Sequence, residues 1–246
     1  MQHRSKKIKK SFFIILVVLI VLSGGSAIYL SNYYHSVDVE KYMTSSSEVT
    51  IKKFDKGWFF DGAGEEKALI FYPGAKVATE AYAPLMYQLA ESGIDCFLVD
   101  MPFHMAFFGM NRAEEIMQEY NYEAWYLGGH SLGGAMAANF AADYVEDHTD
   151  GIRGLLLLAA YPTKDLSTSD MSVVTVYGSE DGVLNMDKIV AGRELMPQDY
   201  KEVCIEGGNH AQFGSYGTQK GDGTAAIPAE EQWARTVEVF VGDESE

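Results

Sequence analysis

The sequence predicts an α/β fold, a mostly parallel sheet with helices on both faces, preceded by an N-terminal transmembrane helix. Three observations predict it. Short, nearly continuous apolar runs alternate with segments of helical spacing, the pattern of parallel strands buried on both faces. Nineteen uncharged residues, Phe12 to Leu30, begin one residue after Lys9 and Lys10. The 246 residues, 47% hydrophobic and 13% aromatic, suffice for one medium domain whose core requires neither disulfides nor a structural metal.

Charge divides the chain. Five basic residues fall within the first ten positions, and the net charge is −16 overall. From Ser31 onward, 14 basic residues face 35 acidic ones, a net −21. Such a surface repels phosphates, which argues against nucleic-acid binding. Residues 1–11 read as a basic cytoplasmic tail. Read as a helix, residues 12–30 would reach about 28 Å, close to the thickness of a hydrocarbon core. Basic residues on its N-terminal side keep that end in the cytoplasm. Two readings remain: a retained single-pass signal-anchor in the cell membrane, or a signal peptide cut after Ala27 that releases a secreted protein. Both place the rest of the chain outside the cytoplasm. Residues 31–47 read as a tether, and 48–246 as one domain.

Within that domain, Val49–Phe54 and Gly57–Asp61 read as an opening hairpin. Ala68–Tyr72 (ALIFY) is a buried strand ended by Pro73-Gly74. Glu80–Ser92 has helical spacing and stops at Gly93. Asp95–Val99, Ala124–Leu127, Gly154–Ala159, Val173–Tyr177 and Lys201–Ile205 supply the further strands. Ala113–Tyr120, Leu132–Tyr144, Leu184–Leu195 and Glu230–Val241 supply the further helices. Gly207–Gly223 holds six glycines in 17 residues, long for a compact-domain loop, which signals either function or mobility. Cys96 and Cys204 sit in apolar, strand-like runs and read as buried free thiols, with a single disulfide between them left open. Neither has metal-site spacing.

The chemistry gathers at strand ends. Gly129-His130-Ser131-Leu132-Gly133 is a G-x-S-x-G pattern between a strand and a helix. That placement makes it a nucleophile elbow, with the Ser131 hydroxyl raised above the sheet at a helix N-terminus. A hydroxyl needs a base, and the base an orienting acid. Of six histidines, His210 follows the last strand in a loop able to reach Ser131. Asp181, after Val173–Tyr177, is the candidate acid, with Glu180 the alternative. The main-chain N–H of Leu132 and of Ala75 are the candidate oxyanion donors, with Lys76 as alternative to Ala75. His104, Tyr161, Gln212 and Tyr216 are candidate substrate-binding residues around the site.

From about Val49 to Val241 the chain resembles an α/β-hydrolase, with Ser131, Asp181 and His210 in that family's chain order. It is similar to the compact dienelactone-hydrolase-like members, with serine in place of their cysteine nucleophile. Ala160 to Met171 spans only twelve residues, too few for the cap many relatives insert there. The resemblance implies an acyl-enzyme mechanism on a small ester-like substrate, without metal or organic cofactor. Thioester or small-amide hydrolysis on the same fold, or a non-catalytic membrane-tethered binding protein, are the alternatives.

Overall fold

The computed structural model describes Gly25, residues 31–148 and residues 151–243. The expected tail and membrane segment, 1–11 and 12–30, lie outside the described residues apart from Gly25. Among the described residues, no helix is long and apolar enough to cross a membrane.

One eight-stranded sheet organises the domain. Its strands are β1 (Thr50–Phe54), β2 (Gly57–Asp61), β3 (Lys67–Tyr72), β4 (Asp95–Val99), β5 (Ala124–His130), β6 (Ile152–Leu158), β7 (Ser172–Gly178) and β8 (Tyr200–Ile205). They lie in the order β1-β2-β4-β3-β5-β6-β7-β8. The β1/β2 hairpin is antiparallel and joins β4 antiparallel; all other pairs are parallel. The helices are α1 (Ala83–Glu91), α2 (Arg112–Glu119), α3 (Leu132–Asp147), α4 (Met186–Gly192) and α5 (Ala229–Asp243).

The apolar runs explain the layering. In β3, Leu69 and Phe71 enter one core while Ala68, Ile70 and Tyr72 enter another, because side chains alternate across a strand. The first core also takes Leu85 and Leu89 of α1 and Trp233 and Phe240 of α5. The second takes Ile116 of α2 and Ala137, Ala138 and Phe140 of α3. Small residues on α3 bring it against β3, β5 and β6. Each fully buried Leu, Ile or Phe contributes about 1.5–3 kcal/mol relative to exposure.

Three sequence expectations change. Residues 34–47 are not a free tether. Tyr34 forms a parallel β-bridge with Val77, and its N–H and C=O pair with Lys76 O (2.7 Å) and Ala78 N (2.8 Å). Val37 N donates to Ser215 O, Ser215 Oγ donates to Val37 O, and Lys220 N donates to Tyr34 Oη. Tyr42 packs edge-on against Tyr87 and Trp233, and Val39 is buried. The segment is a strap laid on the domain. The helix expected over Leu184–Leu195 begins only at Met186, because the Asp181 carboxylate holds the N–H groups of Val183 and Leu184 in a turn. Both cysteines are free, but Cys204 is exposed, since β8 is the edge strand.

Candidate active site

The C-terminal ends of β3, β5, β7 and β8 present the site, as parallel strands in open α/β sheets do. β5 runs into a sharp turn at Ser131, whose φ of 53° and ψ of −121° lie where side-chain-bearing residues are rarely held. Such strain costs of order 1–3 kcal/mol and persists only where surroundings enforce it. Ser131 N donates to Leu158 O (2.8 Å), and Ser131 O accepts from Ala135 N (3.1 Å), which fastens the turn on both sides. The crowding requires glycine at two positions. A Cβ at Gly133 would sit 2.1 Å from Tyr72 O, and one at Gly129 would sit 2.5 Å from Gly133 C.

The turn after β7 carries Asp181. Its Oδ1 accepts from Val183 N and Leu184 N, each at 2.8 Å, which leaves Oδ2 to face His210 Nδ1 at 2.8 Å. His210 follows β8 in a turn clamped by Gln232 of α5. Gln232 Oε1 accepts from Asn209 N (3.0 Å), and its Nε2 donates to Asn209 O (2.9 Å). His210 Nε2 is buried and has no hydrogen-bond partner among the described residues.

Ser131, Leu132, Tyr161 and His210 line one cavity of about 340 Å³, with Ala135, Met136, Ala160, Val183 and Leu184 among its other walls. The structure thus brings Ser131 and His210 to one space and ties His210 to Asp181. Glu180, the alternative acid, is exposed and its carboxylate accepts from Ser179 Oγ.

The loop after β3 crosses the start of α3. Gly74 N donates to Tyr82 Oη (3.0 Å), and Lys76 N donates to His104 O (2.7 Å). Those two amides are occupied, which leaves the N–H of Ala75, between them, as the candidate donor to an oxyanion. Ala75 is not among the cavity's lining residues; it belongs to the adjoining loop. Leu132 N, at the first position of α3, has no acceptor within its own helix.

Tyr82 Oη also lies 2.7 Å from His130 Nδ1, so one phenol braces both the loop and the residue before Ser131. His130 stacks at a tilt on His210, ring centroids 4.4 Å apart. Burial, then the neighbouring His210, pushes the His130 pKa well below the usual value, which keeps its imidazole neutral. Sequence reasoning missed Tyr82 and Gln232. Both sit on helical stretches as ordinary buried positions, and only tertiary contact reveals their partners.

Three expected substrate-binding residues do not line the cavity. His104 instead braces Lys76 through its carbonyl, and burial lowers its own pKa. The 3-10 turn Ala211–Phe213 points Gln212 away, its Nε2 donating to Ile227 O while its main-chain O accepts from Trp233 Nε1. Tyr216 is buried against Tyr34 and Tyr82, its hydroxyl donating to Gln219 Oε1. Among the described residues, no cluster of His, Cys, Asp and Glu is arranged to hold a metal ion.

Comparison with known proteins agrees with this architecture. No curated protein sequence matches the chain. The chain superimposes on Est1E from Butyrivibrio proteoclasticus with a TM-score of 0.56 at 16% identity, covering 81% of this chain and 100% of that one. Carboxyl esterase 2 from Tuber melanosporum gives 0.60 at 13% identity, covering 85% and 89%. A monoacylglycerol lipase from Paleococcus ferrophilus gives 0.57 at 14% identity, covering 80% and 99%. At these identities the likeness is one of fold. A sequence model described as "Alpha/beta hydrolase family" matches residues 68–234. That span includes Ser131, Asp181 and His210, and the chain belongs to the alpha/beta hydrolase family.

Proposed function

We propose that this hydrolase cleaves carboxylic esters through an acyl-enzyme, with Ser131 as nucleophile, His210 as base and Asp181 as the group that orients His210. One observation carries the reading. His210 is bonded to Asp181 through Nδ1, keeps a buried and unpartnered Nε2, and shares a cavity with Ser131. The esterases and lipase among its structural neighbours support the same chemistry.

In this mechanism His210 Nε2 takes the Ser131 Oγ proton as Oγ attacks the ester carbonyl carbon. The carbonyl π electrons move onto oxygen, and the N–H groups of Leu132 and Ala75 receive the oxyanion. Each such donor is worth about 10²–10³ in kcat. Collapse of the intermediate expels the alkoxide, which His210 protonates. Water then attacks the acyl-enzyme as His210 accepts its proton; the second intermediate collapses, His210 returns that proton to Ser131 Oγ, and the carboxylic acid leaves. Asp181 holds the Nε2 face of the ring toward Ser131 and stabilises the transient imidazolium. The steps require no cofactor.

The walls contributed by Ala135, Met136, Val183 and Leu184 suit an apolar acyl or alcohol group of a small ester. Segment 12–30 directs the domain outside the cytoplasm, where it stays tethered if the segment is a retained anchor and is released if the segment is a signal peptide cut after Ala27. The sequence pattern of that segment supports this placement, and cell fractionation with N-terminal sequencing tests it. A mature chain starting at Ile28 would refute the anchor.

A fluorophosphonate probe, followed by a panel of p-nitrophenyl esters and acyl thioesters, tests the chemistry. Labelling and ester turnover are expected in wild type and absent in Ser131→Ala. Preference for thioesters would reassign the substrate class. Failure to label folded wild-type protein would sink the hydrolytic reading and leave a tethered binding protein.

A further inference from the structure

We infer that Asp222 is a positioning residue that sets the Asp181–His210 geometry by tying together the two main-chain turns that carry them. The inference deepens the proposed triad and rests on that reading. Asp222 lies in the glycine-rich loop that follows His210. Its Oδ1 accepts from His210 N (3.2 Å), Gly182 N (3.1 Å) and Gly223 N (2.9 Å), and its Oδ2 accepts from Ala211 N (2.8 Å). One carboxylate therefore holds the residue after Asp181, and both His210 and the residue after it. A carboxylate is suited to this because it only accepts, and its two oxygens can receive several N–H groups at once.

The loop around Asp222 is fitted to the same seam. Gly223 O accepts from Asn209 Nδ2 (2.9 Å), on the base side. A Cβ at Gly223 would lie 2.0 Å from Glu180 O, and one at Gly182 would lie 2.6 Å from Gly221 O, on the acid side. Backbone thus packs on backbone between the two turns, and Asp222 is the side chain at the join. Asp222 acts through the turns and is given no contact with the reacting atoms.

Removing a carboxylate that merely stabilised its loop would lower the melting temperature and leave turnover of the folded protein unchanged. Removing a positioning carboxylate also lowers turnover in folded protein, because a displacement near 1 Å of a reacting group can cost about 100-fold in rate. The test compares full-length wild type, Asp222→Ala and Asp222→Asn in detergent solution. Four quantities are measured: thermal melting, kcat and KM on a p-nitrophenyl ester, and the low-field proton resonance of His210 Nδ1–H, assigned by its loss in His210→Ala. Asp222→Ala is expected to fold, lose or shift that resonance, and drop about 100-fold in kcat with KM within about threefold. Asp222→Asn keeps one acceptor oxygen and is expected to fall between. A folded Asp222→Ala with wild-type resonance and kcat overturns the inference, as does an effect confined to KM. If Asp222→Ala does not fold, Asp222→Asn decides: wild-type resonance overturns the inference and a displaced one supports it. If wild type turns over no ester, the proposed function fails separately, and the resonance still decides the role of Asp222.

Discussion

His210 Nδ1 lies 2.8 Å from Asp181 Oδ2, and both side chains are only 2% exposed. So enclosed a hydrogen bond fixes which imidazole nitrogen carries the proton. Asp181→Asn turns a donor toward Nδ1 and reverses that preference. It is expected to lower kcat by about 10³–10⁴-fold in a folded protein. Glu180→Gln, altering an exposed carboxylate, is expected to stay within about twofold. Steady-state kinetics on one ester distinguishes them, and the opposite ranking would move the acid to Glu180.

His130 gives the fold a pH dependence of predictable sign. Burial holds its folded pKa well below the usual 6.5, so on acidification the unfolded chain binds a proton that the folded chain refuses. Stability present above about pH 6.5 is therefore lost as pH falls below it, by at most about 1.4 kcal/mol per pH unit for this group. His104, lowered by burial in the same direction, adds to the slope. Denaturant melts between pH 7.5 and about 5 are expected to show a shallower decline in His130→Asn than in wild type. Parallel declines would mean that His130 is protonated in the folded state.

Gly133 has no space for a side chain, with Tyr72 O 2.1 Å and Pro73 O 2.4 Å from the position of a Cβ. Both obstacles are backbone, which cannot rotate aside. Gly133→Ala is expected to cost about 3 kcal/mol or more, the upper end for overpacking, and to abolish turnover. A melting temperature equal to wild type would contradict the closeness of the β3 loop to α3.

The strap from Tyr34 to Val39 is expected to matter to stability. Tyr34→Phe removes only the acceptor for Lys220 N and is expected to cost about 0.5–1.5 kcal/mol. A chain begun at Val49 also loses the Val77 bridge, the Ser215 bonds and the packing of Val39 and Tyr42. It is expected to unfold at distinctly lower urea than a chain begun at Ser31. Equal midpoints would return the segment to the role of a tether.

Strands β3, β4 and β7 were legible in the sequence because both their faces are buried, which writes an unbroken apolar run. The elbow was legible because its glycines answer to local crowding, and Asp181 and His210 because each follows a strand end. The strap was hidden: its contacts come singly, from Tyr34, Val39 and Tyr42, among serines and charges that together read as solvated. Gln212 and Tyr216 are near His210 in sequence, but a short 3-10 turn sends them elsewhere. Asp222 carried no signal, since its four partners are main-chain amides, which every residue has.

The strap also sets an order of events. The Val37–Ser215 and Tyr34–Lys220 bonds span 178 and 186 positions. At synthesis rates of about 5–20 residues per second, roughly 10–40 s separate the making of their two ends. Contacts of such separation are slow to close, because chain entropy is lost before they form. Docking of the strap on the 215–220 loop therefore belongs to the last stage of maturation, after β8 has joined the sheet. A chain ended before Ser215 carries Ser131 but lacks the loop on which the strap docks, so Tyr34 and Val37 have no partners there.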